Sequence, residues 1–485
     1  MDNAAALAAV EARLARSPEA IGDLFERAQL LDLAGRETDA QQGYLDVLAL
    51  DMAHVGALNG LGALLAAAGY RKAARMTWQQ AAICCPDDPR AFVHLGNLLR
   101  EEGDADARSY YEGALRCDPA LPEAHQGMAL VLADAGDEAG AARHRPLGFA
   151  PRALTTAPFR GGGAPIRVLQ LVSCIGGNIP TRHLLPDREF LTHTIVAEYA
   201  DRVAALPPHD VVFNAIGDAD LCRPALAAAA ALLRRSAAAV VNPPRTVALT
   251  GRADNAARLG GLPGVIAPRV AAMPRAALEA PDAAAALARR GLAFPLLLRS
   301  PGFHTGRHFA KLDAPADLPR QLAELPGDTL MAVEYRDARG ADGCARKYRA
   351  MLVGGRILPL HLAVADHWKV HYYTAGMADR PDHRAEEAAF LANMEGALGA
   401  TAMAALARIA ETLALDYAGI DFALAPDGRL LLFEANATMV VAPPPPEPRW
   451  DYRQPAFSAV LAAAHALIAA RAGGATGYVQ SARLA

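Results

Sequence analysis

Two carboxylates and one amide in the C-terminal part of the chain have the types and spacing that a hard metal ion requires. The stretch 419–436, GIDFALAPDGRLLLFEAN, contains two apolar runs joined by Asp427-Gly428, a dipeptide typical of two-residue hairpin turns. Counting outward from that turn places Asp421 opposite Glu434, and Asn436 projects from the same face. Facing carboxylates repel each other unless a positive charge lies between them. Three oxygen ligands, two of them anionic, suit Mg²⁺.

The predicted register depends on the length of the turn. With a two-residue turn, Pro426 pairs with Arg429 and each further pair keeps the same index sum. A turn two residues longer, with Pro426 in the loop, preserves that register. The opposite face of the hairpin is then apolar and carries Ile420, Phe422, Leu431 and Phe433. The alternative interpretation is an ordinary exposed hairpin whose polar side chains bind nothing.

These residues resemble the motif of a known family. An aspartate followed, after twelve residues, by Glu-x-Asn on a hairpin is similar to the metal-binding signature of the ATP-grasp ligases. The resemblance extends over about residues 166–472. It implies ATP and Mg²⁺ as cofactors, with Asp421, Glu434 and Asn436 as the metal ligands and Glu434 bridging two ions.

The resemblance also implies a loop that covers the triphosphate. In 294–312, FPLLLRSPGFHTGRHFAKL, an apolar strand ends at Arg299 and a glycine-containing loop follows. The backbone N–H groups of such a loop can cradle phosphate oxygens while a cation supplies charge. The implied nucleotide-binding residues of this segment are Arg299, Gly302, His304, Thr305 and Gly306. An ordinary surface turn is the alternative.

Arginine stands at two positions where the family commonly has lysine. One is Arg299, and the other is Arg252 in the segment 242–259, NPPRTVALTGRADNAARL. Only four of the 48 basic residues are lysines, so arginine is expected to replace lysine in this chain, although a guanidinium is wider and differently hydrated. The alternative for Arg252 is an exposed cation at a helix end.

A strand at 329–337, TLMAVEYRD, resembles the family's hinge segment, which meets adenine and ribose. The resemblance places Val333, Glu334 and Tyr335 beside the nucleotide. The alternative is that Glu334 is an exposed residue of an edge strand.

A second hairpin is predicted at 346–364, RKYRAMLVGGRILPLHLAV, around the turn dipeptide Gly354-Gly355. Period-two counting places Lys347 and Arg349 on one face. The resemblance assigns Arg349 to the transferred phosphoryl group and Lys347 to the nucleotide.

The polar aromatic segment 365–377, ADHWKVHYYTAGM, contains Lys369 and could orient an acceptor; a solvated loop is the alternative. The implied catalytic residues are therefore Arg349, Arg299 and Lys369.

The first 145 residues repeat with a period near 34. Four glycines recur with an alanine behind each, large aromatics follow the first three alanines, and a proline closes two units; these residues are Gly35, Gly69, Gly103, Gly136, Ala40, Ala74, Ala107, Ala141, Tyr44, Trp78, Tyr111, Pro86 and Pro119. The pattern resembles the tetratricopeptide repeat, which implies a curved solenoid of helix pairs. Such arrays usually bind a peptide or protein; dimerisation, or bracing of the next domain, is an equal alternative.

The sequence therefore predicts a multidomain protein: an all-α tetratricopeptide-like helical solenoid followed by an α+β ATP-grasp fold with a small α/β pre-ATP-grasp unit. The predicted boundaries are 1–145 for the repeats, 146–165 for a Pro- and Gly-rich linker, 166–245 for the pre-ATP-grasp α/β domain, 246–472 for the ATP-grasp domain and 473–485 for a tail.

Composition limits the partners. The net charge of −4 gives no basic excess for nucleic acid or an anionic membrane, and no run approaches the roughly 18 apolar residues of a membrane helix. Six cysteines without paired spacing favour a reducing, cytoplasmic location. The predicted function is an ADP-forming ligase that makes an amide from a carboxylate and an amine through an acyl phosphate. Tailoring of a peptide-like natural product would fit this activity, and the alternative is a catalytically inactive scaffold.

Overall fold

The computed structural model describes residues 3–301, 308–370 and 375–473. The chain divides into two compact units. The repeat unit comprises Met1–Pro165 with Asp187–Thr192, and the sheet unit comprises Ile166–Pro186 with His193–Ala485.

The described part of the repeat unit contains a solenoid of helices, as the 34-residue period predicts, and a short strand that follows the last helix. After a first helix, four antiparallel pairs follow. The helices are α1 Asn3–Leu14, α2 Ile21–Leu33, α3 Glu37–Leu50, α4 Val55–Ala67, α5 Arg71–Cys84, α6 Pro89–Glu102, α7 Ala107–Cys117, α8 Pro122–Asp134 and α9 Glu138–Phe149, and the strand is β1 Leu154–Thr156.

The repeated glycines and alanines have separate physical roles in this solenoid. Each glycine lies between the two helices of a pair with a positive φ, from +69° at Gly35 to +86° at Gly69, a conformation that glycine adopts without steric cost. The four alanines that follow are fully buried or nearly so. Small side chains at these positions let the paired helices approach each other closely.

The repeated aromatics fill the spaces between helices by packing on glycines. A Cβ atom at Gly60 would lie 2.5 Å from the ring of Tyr44, and one at Gly62 would lie 2.4 Å from Trp78. Tyr111 packs in the same way on Gly127 of the next pair. Tyr44 and Tyr111 thus fill the space between neighbouring helix pairs, whereas Trp78 packs on a glycine of its own pair.

Replacing Gly127 by alanine is expected to destabilise the repeat unit by about 1–3 kcal/mol, because the new methyl group overpacks a filled site. Its Cβ atom would lie 2.1 Å from Cε1 of Tyr111. Gly22→Ala is the matched control, since Gly22 is also helical but has no atom within 4 Å of a new Cβ. The control should raise stability by about 0.5–1 kcal/mol through helix propensity. Thermal unfolding followed by far-UV circular dichroism measures both, and equal effects would contradict this packing.

The last helix of the solenoid is longer than the sequence predicts. α9 continues to Phe149, so Pro146, at which a linker was predicted to begin, lies inside the helix. The end of α9 packs tightly on α8, since a Cβ atom at Gly148 would lie 2.6 Å from the backbone nitrogen of Gln126. The side-chain amide of Gln126 also donates a hydrogen bond to the Gly148 carbonyl at 2.8 Å. This packing stabilises the final turn beyond the proline.

A histidine pair also joins α8 to α9. Nδ1 of His125 lies 2.8 Å from Nδ1 of His144, and Nε2 of His125 lies 3.0 Å from the carbonyl of Pro119. Because that carbonyl can only accept, His125 donates from Nε2 and accepts at Nδ1 from His144. Burial, followed by the charge of His125, lowers the pKa of His144 from 6.5.

The stability of the repeat unit should therefore fall on acidification. The folded state binds a proton at His144 less readily than the unfolded chain does, so the contribution is complete above the ordinary histidine pKa of 6.5 and is lost below it. We expect about 0.5 kcal/mol, less than a usual hydrogen bond because His144 is partly exposed. Burial also lowers the pKa of His94, so the wild type must be compared with His144→Gln. Urea unfolding of both proteins, at one pH above 6.5 and at one pH below it, isolates the contribution of His144. Identical pH dependence in the two proteins would contradict it.

The sheet unit begins with an α/β segment. Its first elements are β2 Ile166–Val172, β3 Phe190–Val196, β4 Val211–Asn214, α10 Arg223–Leu232 and β5 Ala239–Val241. The order in the sheet is β3-β2-β4-β5, with β2, β4 and β5 parallel; the last four residues of β3 belong to this unit. Apolar strands alternating with a helix form the mixed structure that the sequence predicts here.

Two further sheets follow. Their strands are β6 Val265–Ile266, β7 Val270–Pro274, β8 Leu296–Arg299, β9 Phe309–Leu312, β10 Thr329–Glu334, β11 Ala345–Val353, β12 Arg356–Ala365, β13 Tyr417–Leu424 and β14 Leu430–Asn436. The helices are α11 Pro244–Val247, α12 Arg252–Leu259, α13 Arg275–Glu279, α14 Ala283–Arg289, α15 Leu318–Glu324, α16 Pro381–Ala392, α17 Met394–Leu413 and α18 Gln454–Ala472.

The smaller sheet has the order β7-β10-β8-β9 and is antiparallel. One face buries an apolar core shared with α13, α14 and α15. The larger sheet has the order β12-β11-β13-β14-β6, in which only the short β6 runs parallel to its neighbour.

One helix is longer and more apolar than the sequence analysis expects. Among the described residues, Pro448–Ala472 reaches the length and hydropathy of a membrane span, and the bent pair Pro381–Ala392 and Met394–Leu413 does so if counted as one span. The expectation that no segment would approach this threshold does not hold. In this structure Val460 and Ile468 of α18 are fully buried, and Arg471 pairs with Asp416. Helices in the cores of soluble proteins also reach this length and hydropathy, so these two properties do not show that α18 crosses a membrane.

Candidate functional site

The site residues predicted from the sequence line one cavity of about 900 Å³ in the sheet unit. This holds for each of them that the structure describes: Arg252, Arg299, Val333, Glu334, Tyr335, Lys347, Arg349, Lys369, Asp421, Glu434 and Asn436. The other four, Gly302, His304, Thr305 and Gly306, lie outside the described residues. Segments up to 184 residues apart in the chain, from Arg252 to Asn436, thus meet at one place.

The predicted pairing of Asp421 with Glu434 is confirmed, but the turn that produces it is different. Leu424 pairs with Leu430, and the Ala425 N–H donates to the Arg429 carbonyl at 2.8 Å. The turn therefore contains Pro426 as well as Asp427-Gly428, and Gly428 has a φ of +76°. This is the three-residue hairpin loop that ends in a left-handed glycine.

A β-bulge restores the predicted register. Phe422 pairs with Leu432, whereas Asp421 pairs with Glu434, so Phe433 is an extra residue in β14. The prediction that Phe433 belongs to the apolar face opposite Asp421 and Glu434 is wrong: Phe433 is 42% exposed and lines the same cavity as those two residues. The bulge removes it from the alternating pattern.

Asp421 is held by two cations. Its carboxylate accepts from Nε and a terminal nitrogen of Arg349 at 2.6 and 2.8 Å, and from Nζ of Lys347 at 3.0 Å. The carboxylate is 3% exposed. Burial alone would raise the pKa of Asp421, but the charges of Arg349 and Lys347 outweigh burial and hold that pKa well below its usual range. The positive charge that facing carboxylates require is thus supplied, in this structure, by side chains of β11.

Glu434 is paired with a different cation. Its Oε1 accepts from Arg252 at 2.9 Å, and Arg252 also contacts Asp220 at 3.3 Å. Burial lowers the pKa of Arg252, but the negative charges of Glu434 and nearby aspartates raise it by more than burial lowers it. The pKa of Arg252 is therefore above its ordinary value. Arg299 behaves oppositely: burial, followed by the charge of Arg252, lowers its pKa. Two guanidinium groups therefore share this part of the cavity.

Asn436, the third predicted ligand, is engaged locally. Its Oδ1 accepts from the backbone N–H of Thr438 at 3.0 Å and from the Thr438 hydroxyl at 2.9 Å. The amide caps the turn that follows β14. Asn436 lies opposite Gly419, and a Cβ atom at Gly419 would lie 2.3 Å from Cγ of Met439. The side chain of Met439 thus occupies the place of a side chain at 419.

A row of polar side chains crosses four strands, and the sequence analysis missed one member. His361 of β12 lies opposite Arg349 of β11, which lies opposite Asp421 of β13, which lies opposite Glu434 of β14. His361 is buried and lines the cavity; burial, followed by the charge of Arg349, holds its pKa well below the usual value. A polar residue inside the apolar run ILPLHLAV was the available signal.

Aromatic and cationic side chains gather around Lys369. Its Nζ donates to the Phe309 carbonyl at 3.2 Å, and burial lowers its pKa. The ring of Trp368 meets the rings of Phe309 and Tyr335 edge-on, at centroid distances of 5.5 and 6.5 Å. The Arg299 guanidinium lies 5.8 Å from the centre of the Phe309 ring. Lys369 thus adjoins the strand that follows the predicted triphosphate loop, at a place suited to an anion and an aromatic base.

Glu334 ends β10 and is fixed by two partners. Its carboxylate pairs with Arg336 at 2.7 Å and accepts from the backbone N–H of Arg269 at 3.1 Å. Its own N–H donates to the Arg269 carbonyl at 2.8 Å. Glu334 is therefore half-buried and bonded, which does not match the alternative of an exposed edge-strand glutamate.

The donors fit Mg²⁺ in type, but in this structure protein cations pair with both carboxylates, and Thr438 donates to the amide oxygen of Asn436. Asp421, Glu434 and Asn436 offer hard oxygen ligands and line the same cavity, as Mg²⁺ requires. Within the part of the chain that the structure describes, no group of three or more His, Cys, Asp or Glu side chains forms a metal cluster. The site has two carboxylates and one amide, which suits an ion completed by phosphates and water.

Comparisons with known proteins concern the repeats more than the site. No protein-family profile matches the chain. A curated protein of Hordeum vulgare, the probable UDP-N-acetylglucosamine–peptide N-acetylglucosaminyltransferase SPINDLY, is 32% identical over 115 residues, which are 24% of this chain but only 12% of that protein.

Among solved structures, the chain is similar to MamA, with 21% identity over 30% of this chain and 87% of that chain and a TM-score of 0.28. It is also similar to YrrB, a tetratricopeptide-repeat protein with an unusual peptide-binding site, with 20% identity over 29% of this chain and 73% of that chain and a TM-score of 0.27. A third similar structure is PilF of Pseudomonas aeruginosa, with 20% identity over 34% of this chain and 71% of that chain and a TM-score of 0.29.

Proposed function

We propose that the sheet unit is an ATP-grasp ligase that joins a carboxylate to an amine and converts ATP to ADP and phosphate. One observation carries the proposal: the described residues assigned to metal, phosphate and nucleotide from the sequence all line a single cavity. These residues come from β8, β10, β11, β13, β14 and α12, which are far apart along the chain, and from Tyr335 and Lys369.

The residues that line the cavity support a proposed place for each part of the nucleotide. The base fits beside Val333, Tyr335 and the exposed Phe433, where aromatic and apolar groups offer stacking and burial. The phosphates fit beside Arg252, Arg299 and Lys369, whose charges can compensate the anion.

The reaction then needs charge neutralisation and positioning more than a protein nucleophile. An oxygen of the substrate carboxylate attacks the γ-phosphorus of ATP, and the bond from that phosphorus to the β,γ-bridging oxygen breaks, leaving ADP. The amine nitrogen then attacks the acyl carbon; it forms the amide, loses a proton and releases inorganic phosphate. In this proposal, Arg349 and Arg299 compensate the charge on the transferred group.

When bound, Mg²⁺ supplies further charge neutralisation at the phosphate oxygens. Asp421, Glu434 and Asn436 would hold it. His361, kept neutral by burial, can donate or accept one hydrogen bond beside Arg349 without adding charge.

The solenoid is proposed to hold a peptide or protein, either the substrate or a partner. Helical repeats expose a continuous surface that suits an extended chain. The proposed substrates are a small molecule or peptide with a carboxylate and an amine acceptor. The proposal also includes a cytoplasmic location and a homodimer in which the repeats provide the contact.

A second function remains a candidate because each residue of the metal triad is bonded to a protein group in this structure. A nucleotide domain whose carboxylates stayed so engaged would serve as a scaffold without turnover. Arginine at both expected lysine positions favours the same alternative.

Nucleotide binding and turnover discriminate the two functions. ADP formation should be measured with Mg²⁺ and ATP, alone and after adding pools of amino acids and peptides, alongside ATP binding by the quenching of tryptophan fluorescence, since Trp368 lines the cavity. Stimulation of ADP release by one pool supports the ligase and identifies its substrate class. A folded protein that binds ATP without any turnover supports the scaffold, and one that binds no ATP excludes the ligase and leaves the scaffold.

A further inference from the structure

We propose that Arg252, Lys347 and Arg349 are exchangeable counter-ions: they hold the metal-binding carboxylates in the nucleotide-free protein and transfer to phosphate oxygens when a nucleoside triphosphate binds. A divalent ion then binds strongly only together with the nucleotide. This inference rests on the proposed ATP site and adds to it a coupling between the two ligands.

The pairing around Asp421 carries the first step. Arg349 occupies both carboxylate oxygens and Lys347 adds a third contact, all between 2.6 and 3.0 Å. The side chains of Lys347 and Arg349 are 13% and 16% exposed. A divalent ion that arrived alone would have to displace these cations and leave them in a poorly solvated place. Separating buried charges in this way is costly.

Glu434 and Asn436 add the same obstacle. Arg252 bonds Glu434, and its Nε is buried without a hydrogen-bond partner, so the guanidinium has little access to water. Thr438 fills the acceptor positions of the Asn436 oxygen. Free Mg²⁺ therefore meets no open donor set among these three residues.

A triphosphate changes this balance. Its oxygens offer the cations an anionic partner inside the same cavity, which all three of them line. Once Arg252, Lys347 and Arg349 contact phosphate, the carboxylates are released and lack a counter-charge, and a divalent ion supplies it. Each ligand thus improves the site for the other, and by linkage the improvement is reciprocal.

Direct binding of Mn²⁺ to the full chain, read from the electron paramagnetic resonance signal of the free ion, tests the exchange. Without nucleotide we expect wild-type protein to bind Mn²⁺ at least roughly tenfold more weakly than in the presence of the non-hydrolysable ATP analogue AMP-PNP. Affinity for AMP-PNP, from tryptophan fluorescence, should rise with Mn²⁺ by the same factor.

Lys347→Met gives the decisive comparison. It removes one cation from Asp421 but keeps the bidentate Arg349, so the carboxylate stays paired. We expect Mn²⁺ alone to bind about tenfold more tightly to this variant than to wild type, and AMP-PNP more weakly. Lys72→Met, the same substitution at an exposed position of the repeat unit, is the control and should change neither affinity.

The possible failures are separable. If wild type binds AMP-PNP but takes up Mn²⁺ equally well without it, and Lys347→Met does not change Mn²⁺ binding, the exchange is wrong and the ATP site stands. If wild type binds no AMP-PNP even with Mn²⁺, the proposed function itself is wrong and the exchange falls with it.

Discussion

Replacing Asp421 by asparagine should destabilise the sheet unit by about 3–5 kcal/mol, the usual effect of breaking a buried ion pair from one side. The change keeps the shape of the side chain but removes the charge that both Arg349 and Lys347 contact. The motif of Asp421, Glu434 and Asn436, considered by itself, makes Asp421 a metal ligand, and the loss of a metal ligand is expected to affect turnover more than folding. Its 3% exposure and its two cationic partners predict a large effect on folding as well.

Two further proteins make this prediction specific. Adding Lys347→Met to Asp421→Asn should recover about 1 kcal/mol or more, because one uncompensated buried charge is removed. Asp427→Asn in the turn of the same hairpin is the control, and it should leave stability unchanged because the Asp427–Arg429 pair is exposed. Urea unfolding, with hydrogen exchange of peptides from β11 and β13 as a local readout, measures all three. Wild-type stability in Asp421→Asn would show that the pairing contributes nothing.

Replacing Glu434 by glutamine should have the complementary outcome. Turnover of ATP should fall by about 10²–10³-fold, the typical effect of removing one electrostatic contact from a transition state. Stability should change little, since the Glu434 carboxylate is 29% exposed and Arg252 keeps its contact with Asp220. Mg²⁺-dependent formation of ADP, measured beside thermal unfolding, separates the two quantities.

Glu447→Gln is the matched control for this variant. Glu447 is exposed, lies in the proline-rich segment after β14 and pairs with Arg449, so its replacement should leave turnover unchanged. If Glu434→Gln retained turnover while Mg²⁺ and ATP still bound, Glu434 would not be a metal ligand. A loss of folding in Glu434→Gln would place it with Asp421 as a structural charge.

The hairpin shows how a sequence-based register can be right while its details are wrong. A two-residue turn predicts a constant index sum, but the turn contains Pro426 as a third residue and Phe433 forms a bulge. The two changes shift the register in opposite directions, so Asp421 still faces Glu434. The residues of a turn can be predicted from the local sequence, whereas the bulge depends on what packs on either side of β14.

His361 illustrates the opposite case. Counting from Val353 paired with Arg356 places Leu360 opposite Arg349, but a register shift between Arg349 and Ala350 brings His361 there. A one-residue shift moves a side chain to the other face of the sheet. The histidine inside an apolar run was a signal that could have singled out His361, but the local sequence does not predict the register shift that places it opposite Arg349.

The sequence by itself determined the solenoid and the two hairpins, because their contacts connect residues close along the chain. A period of 34 requires each helix pair to bury its small residues on its neighbour, and the turn dipeptides set the direction of the strands. The tertiary structure alone decided which cation meets which carboxylate. Arg252 reaches Glu434 across 182 residues, and Lys347 reaches Asp421 across 74. Such contacts follow from the packing of whole sheets and helices, which periodicity does not encode.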